Sequence, residues 1–230
     1  MKPQPVICRP EAFYLFADQL NHLDETDALV RAAVAVSMHP LDKVDLDGLF
    51  DTLRGYAEVV RSRVRTKRVE AVLAHLHQVL FEDAGFRGDQ RDYYNPRNSY
   101  LPEVLRRRTG IPITLTLVYK AVAERVGLRV EGINAPGHFL ARIHDQTGPI
   151  LVDPFFRGQM LTPQEALERL AQISGRSIPA DTRLLRTANH VQWLARMIAN
   201  LQTIFSATNQ AQNLAAMNEL QLLLSQVSGL

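Results

Sequence analysis

The stretch Ile111 to Val126, IPITLTLVYKAVAERV, constrains the fold more than any other part of the chain. Gly110-Ile111-Pro112 opens it, and proline is tolerated in a first helical turn, where its missing N–H has no intrahelical partner to lose. Gly127 stops the helix. Between these signals the helix is apolar almost all round, so it belongs in the middle of a fold. Its uncharged run, Ile111 to Tyr119, is too short to span a bilayer, which needs about 20 residues. The rest of the chain must therefore cover it. With 230 residues, 46% of them hydrophobic, there is ample material for a core and no case for intrinsic disorder.

The first 85 residues read as helices. Glu11 to Leu23 puts Phe13, Phe16, Ala17 and Leu20 on one face, at the spacing of a buried helical stripe. Asp24 or Thr26 can cap a second helix, Asp27 to Met38, which His39-Pro40 ends. Leu46 to Val60 and Val69 to Phe81 repeat the pattern. Gly85 to Asn98, GFRGDQRDYYNPRN, is a loop by its glycines, proline and asparagines, and loops of that length are often functional. A short helix, Ser99 to Arg107, leads into the buried one. Leu128 to Asn134, Phe139 to His144 and Pro149 to Val152 are short, β-branched or alternating, and so are strands. Pro136-Gly137 and Asp145 to Gly148 separate them, and the last two form a hairpin. Helices return at Pro163 to Ile173, at Asp181 to Phe205 with a break near His190, and from about Gln210 to Leu224. The class is α+β. Three regions follow: helical 1–85, a core 86–175, and a helical tail 176–230, all in one compact unit, with a boundary near Ser174 to Pro179.

Several function classes recede on composition. Lysine and arginine total 26 against 24 acidic residues, a net charge of +2, too little excess base for a nucleic-acid binder. The N-terminus, MKPQPVICRPEAF, has no apolar h-region and does not read as a secretory signal. One cysteine, Cys8, excludes an internal disulfide framework and a multi-cysteine zinc site; its segment reads as an exposed N-terminal arm. His75 and His77 are two apart on a helix and face different ways, and no HExxH pair exists, so no metal and no cofactor is expected. The chain reads as cytoplasmic, with no membrane or nucleic-acid partner.

Six histidines, His22, His39, His75, His77, His144 and His190, read as surface or capping residues. His138 stands apart. It begins a strand after the Pro136-Gly137 turn, and Asp153 ends the paired strand in Leu151-Val152-Asp153-Pro154-Phe155. Both lie near the open end of the expected hairpin. There the carboxylate could orient the imidazole, as in a nucleophile–base–orienter triad, or simply cap the turn before Pro154.

The order YYNPRNSYLPEVLRRRTGIPITLTLVYKAVAERVGLRVEGINAPGHFLARI, followed by ILVDPFFRGQMLT, resembles the bacterial SirB-one family. The resemblance is strong over Tyr93 to Thr162 and looser toward the N-terminus. The tail resembles a tetratricopeptide-like end cut short. What the resemblance implies is a core of the transglutaminase-like superfamily, with a helix packed on an antiparallel sheet in the papain-like manner. Catalytic members of that superfamily carry a cysteine at the start of the central helix, then a histidine and an aspartate at strand ends. His138 and Asp153 match the last two positions, and Pro112 falls on the first. Proline has no heteroatom in its side chain, so the nucleophile is missing.

The remaining polar candidates are local. Thr114 and Thr116 follow Pro112, either as hydroxyls near the site or bonded to backbone carbonyls. Tyr94, Asn95 and Asn98 can contact a ligand beside His138 or make caps and turns. Arg106-Arg107-Arg108 is a solvated face or an anion site. Two functions follow as expectations. One is a non-catalytic binding or regulatory module for a protein or peptide partner, its oligomeric state left open. The other is a hydrolase or acyltransferase that uses His138 and Asp153 with another nucleophile or with water.

Overall fold

A computed structural model describes residues 3–145, 148–175, 179 and 181–228. Helix α1 (Pro10–Gln19) tightens into a 3-10 turn over Leu20–His22, and α2 (Thr26–Met38) packs against it. Helix α3 (Leu46–Arg63) begins where the Asp45 side chain accepts from the Gly48 N–H, 2.9 Å away. Helix α4 (Val69–His77) continues not as α-helix to Phe81 but as a π-helical turn over Gln78–Asp83, closed by Ala84 N–H donating to Val79 C=O. Two short strands, β1 (Arg87–Gly88) and β2 (Thr109–Gly110), pair in parallel on either side of α5 (Leu101–Arg107). The long loop is therefore pinned to the core at its start.

Helix α6 (Pro112–Arg125) is buried at every position from Pro112 to Ala123. The elements that cover it are an antiparallel sheet and its helical neighbours. Strands β3 (Val130–Ala135), β4 (His138–Asp145) and β5 (Gly148–Asp153) form two successive hairpins, and β6 (Gln159–Leu161) adds at one edge. Of the expected second turn, Gln146 and Thr147 lie outside the described residues. Helix α7 (Pro163–Ser174) starts in a capping box, Thr162 with Glu165. Strand β7 (Thr187–Ala188) closes the order β6-β5-β4-β3-β7, followed by α8 (His190–Ala207) and α9 (Ala211–Ser228).

The pleat divides the sheet between two cores. Val130, Phe139, Ala141, Ile143 and Val152 face α6 and α8, where Trp193 packs 4.5 Å from Phe139 between ring centroids. Ile133, Leu140, Leu151 and Leu161 face Ala166, Leu167 and Leu170 of α7. The first core also draws on α1, α2, α3 and α9, so the helical flanks and the sheet share one interior. The boundary expected near 174–179 falls partly outside the described residues.

Two expectations are corrected. Residues 181–189 are not helix. Thr182–Leu184 is a 3-10 turn, Thr187–Ala188 pairs with β3, and α8 starts only where Asn189 and Gln192 form a capping box. Nor is the N-terminal arm exposed at Cys8, which is buried. The N–H groups of Val6, Ile7 and Cys8 all donate to the Glu219 carboxylate of α9, at 3.1, 2.7 and 3.2 Å, and clasp the arm against the tail. Burial, assisted by the nearby Glu219 charge, pushes the Cys8 thiol up to about 12.

Candidate functional site

The site begins with the turn between β3 and β4. Gly137 has φ of 70°, a left-handed conformation that favours glycine, and it lets Ala135 pair directly with His138. His138 is thus fixed as the first residue of β4. Asp153 closes β5, and its Oδ1 accepts from the N–H groups of Phe155 and Phe156 at 3.1 and 3.3 Å, opening the 3-10 turn Pro154–Phe156. Its Oδ2 lies 2.8 Å from His138 Nε2. The His138 and Asp153 side chains are 2% and 0% exposed. A carboxylate only accepts, so Nε2 carries the proton of this bond and Nδ1 is the nitrogen left for other work. Capping and orienting, which the sequence offers as alternatives, are done by different oxygens of one carboxylate.

A third residue completes the arrangement. Arg169 of α7 places one terminal nitrogen 3.3 Å from Asp153 Oδ2 and donates with the other to Gln159 Oε1 at 2.7 Å. Its guanidinium also lies 4.4 Å from the centre of the Phe156 ring. A buried carboxylate needs such a partner, because an isolated charge in the interior is costly. Sequence reasoning missed Arg169, which on an amphipathic helix looks like a solvated charge. The signal was indirect: an aspartate at the end of an apolar strand calls for a cation from whatever covers that strand.

Beside His138 opens a groove of about 430 Å³, walled by Tyr93, Tyr94, Phe155, Phe156 and Ile173. The His138 ring stands edge-on to Phe155 at 5.8 Å, and Tyr93 meets Phe155 at 6.0 Å. Tyr94 is 74% exposed at the rim. Burial raises the Tyr93 hydroxyl above its ordinary pKa, so it is a neutral donor at physiological pH. The walls are suited to an apolar or aromatic side chain, with one imidazole at the base.

The other candidates sit elsewhere. Asn95 caps the 3-10 turn Pro96–Asn98 through the Arg97 N–H and donates to Asp92. Asn98 is fully buried and donates to Asp89 and to the Asp92 carbonyl, while its own amide oxygen accepts from Arg107. Thr114 donates to the carbonyls of Asn98 and Ile111, at 2.7 and 3.0 Å, and Thr116 reaches the Phe139 carbonyl at 3.4 Å. Asn95, Asn98 and Thr114 therefore do not line the groove; local backbone groups claim their polar atoms first. Of the basic run, Arg106 pairs with Glu103, Arg107 with Asn98 and Asp89, and Arg108 ends α5 in a left-handed conformation. Pro112 is the first residue of α6 and is buried. By the pleat, His138 shares the face of Leu140 and Asp153 that of Leu151, toward α7. Helix α6 packs on the other face and also meets the Pro154–Phe156 turn. Among the described residues no group of three or more His, Cys, Asp or Glu can hold a metal ion. No described helix is long and apolar enough to cross a membrane.

A buried helix on an antiparallel sheet, with a histidine and an aspartate joined at strand ends, defines a transglutaminase-like core, here with no cysteine on the helix. A family model described as the transglutaminase-like superfamily matches residues 49–199, from within α3 to within α8. The chain belongs to that superfamily and, within it, to the family of the UPF0162 proteins. A UPF0162 protein of Xylella fastidiosa is 35% identical over 192 residues, covering 81% of this chain and 68% of that protein. One from Pseudomonas aeruginosa is 32% identical over 139 residues, or 60% of this chain and 50% of its own length. F-box only protein 21 of Mus musculus is 36% identical over 141 residues, 58% of this chain but 22% of that protein. No solved structure matches the chain with significance.

Proposed function

We propose that this protein is a transglutaminase-like module without thiol chemistry, which binds a protein or peptide segment in the aromatic groove beside His138. The observation that carries this reading is the position of the thiol. Cys8 is buried against α9 with its pKa pushed up to about 12, while Pro112 begins the helix from which a superfamily nucleophile would act. His138 and Asp153 then serve to fix the base of the groove. The SirB-one assignment, a tetratricopeptide-like pairing of α8 with α9 and a cytoplasmic setting belong to the same proposal. A second reading, hydrolysis by water activated at His138, is favoured by the 2.8 Å bond to a buried carboxylate, since orientation of a base is what such a bond provides.

One experiment separates the two. A phage-displayed dodecapeptide library is panned on the full chain, and enriched clones are re-tested on Tyr94→Ser and Phe156→Ala variants. Loss of about tenfold or more in affinity is expected for each, because aromatic walls dominate such contacts. In parallel, p-nitrophenyl ester and glutamine-amide substrates should show no turnover that His138→Ala abolishes. Clones indifferent to both groove substitutions would remove the binding proposal, and His138-dependent turnover would replace it with the second reading.

A further inference from the structure

The groove has a basic neighbour. On the far side of the Pro136-Gly137 turn lies a second hollow of about 640 Å³, and Gly137 lines both. Among the described residues, Arg183, Arg186 and Arg196 converge there with one carboxylate, Asp181. Arg183 engages that carboxylate with Nε, at 2.9 Å from each oxygen, and with a terminal nitrogen at 2.8 Å. Arg186 donates through Nε to the Arg183 carbonyl at 3.1 Å, and its two terminal nitrogens bond to no described residue. Arg196 lines this second hollow. One terminal nitrogen donates to the Ala135 carbonyl at 2.8 Å and to Asn134, and the guanidinium rests 5.7 Å from the Phe139 ring centre. It lies close enough to Tyr93, in the groove wall, for each to perturb the other's titration. The hollow therefore holds more cation than anion, presented as planar forks, one of them anchored and partly desolvated.

We propose that the segment bound by the groove is acidic: an Asp or Glu carboxylate seats on Arg186 and Arg196, and a nearby apolar side chain lies on Tyr93 and Phe156 across the Gly137 turn. This rests on the peptide-binding reading above and names its partner class. Guanidinium forks match a carboxylate in geometry, and partial burial of Arg196 strengthens a charge-assisted bond relative to one in open water. A nucleic acid fits less well. Single strands are tracked by a continuous basic groove, whereas here the surplus is confined to one hollow beside Asp181, in a chain of net charge +2.

The test uses the full chain and two fluorescein-labelled peptide pools. Both are randomised with aromatic and aliphatic residues. One also carries Asp and Glu, and the other Asn and Gln at the same positions. The acidic pool is expected to bind about tenfold more tightly at low salt, with the preference shrinking as ionic strength rises. Arg186→Gln should bring the acidic pool down to the amide pool and leave the amide pool unchanged. Arg186→Lys should restore only part of the preference, because a point charge lacks the fork. Arg196→Gln is read only as support, since Arg196 also holds the β3–β4 turn. Equal binding of the two pools, or a preference that survives Arg186→Gln, overturns the acidic assignment and leaves the groove intact. Failure of both pools to bind overturns the groove reading with it. Tighter binding by a labelled oligothymidine than by the acidic pool assigns the hollow to nucleic acid instead.

Discussion

Asp153 shows how one residue ties local structure to a site. Its side chain ends a strand, starts a turn, orients a histidine and neutralises an arginine, all while fully buried. Such a carboxylate cannot drift, so the His138 ring it holds cannot drift either. Pro112 is the complementary case, a position defined by a missing heteroatom. A Pro112→Cys variant would put a thiol at the first turn of a 14-residue helix, where the helix-end field lowers its pKa. Iodoacetamide near pH 6.5 is expected to modify this thiol about tenfold faster than free cysteine, and adding His138→Ala should change the rate little, because the ring lies on the sheet face toward α7. The background is clean, because Cys8 is buried and its thiol is pushed up to about 12. The helix should lose no more than about 1 kcal/mol, the usual cost of freeing one dihedral. A rate that His138→Ala lowers about tenfold would show that the ring reaches position 112. The pair would then be a relic of catalysis rather than a brace between sheet and α7.

At the scale of elements, the sheet works because β3 lets α8 come close. A Cβ added to Gly132 would sit 2.3 Å from Trp193 Cζ3 and 2.7 Å from Phe139 Cε1, distances no relaxed structure tolerates. Gly132→Ala should therefore lower stability by about 1–3 kcal/mol through overpacking, read as a shifted urea midpoint at unchanged slope. Gly55→Ala, in α3 with nothing within 4 Å of the added carbon, should be neutral or stabilising by up to about 1 kcal/mol. A Gly132→Ala protein as stable as its parent would mean that the Trp193 contact is not tight. The same elements show what the sequence could carry. The three long strands and α6 were legible because their apolar patterns run for four residues or more between turn signals. Strand β7 was not. Two residues set no period, and the helical pattern of α8 swallowed them. The π-turn after His77 escaped because it keeps the apolar spacing of the helix it distorts. At the site, turn chemistry revealed His138 and Asp153, whereas the tie to Arg169 depends on how α7 docks, which no local pattern encodes. The burial of Cys8 was likewise invisible, since it rests on Glu219, more than two hundred positions away.

Across the whole molecule, three histidines in separate regions are held below the ordinary imidazole pKa. His77, the last residue of α4 and bonded to Tyr119, is lowered to about 4 by burial. His39, after α2, is lowered by burial and then by the Arg9 charge, and its Nδ1 accepts the Arg9 N–H at 3.2 Å. His190, at the start of α8, is lowered by burial and then by the Lys120 charge. In each case the folded state binds the proton less readily than the unfolded state does. The stabilisation is therefore complete above the unfolded value of 6.5 and is lost as pH falls toward the folded one. For His77 the window runs from 6.5 to about 4 and is worth roughly 3 kcal/mol. The lowered carboxylates, Asp89, Glu103, Glu165 and Asp181, act in the same direction but lose their contribution only below their ordinary values of 3.8 for Asp and 4.5 for Glu, so most of the window belongs to the histidines. Because one core joins the flanks to the sheet, protonation in any of the three regions should weaken a single transition rather than peel off one part. Urea midpoints should be flat from pH 8 to 7 and fall between about 6.5 and 4. Far-UV circular dichroism and the fluorescence of Trp193, the only tryptophan and fully buried, should change together at every pH. His77→Gln should flatten most of its own share of the fall. Parallel curves for that variant and the parent would remove His77 from the account, and separated optical transitions at low pH would show that the helical tail unfolds apart from the sheet.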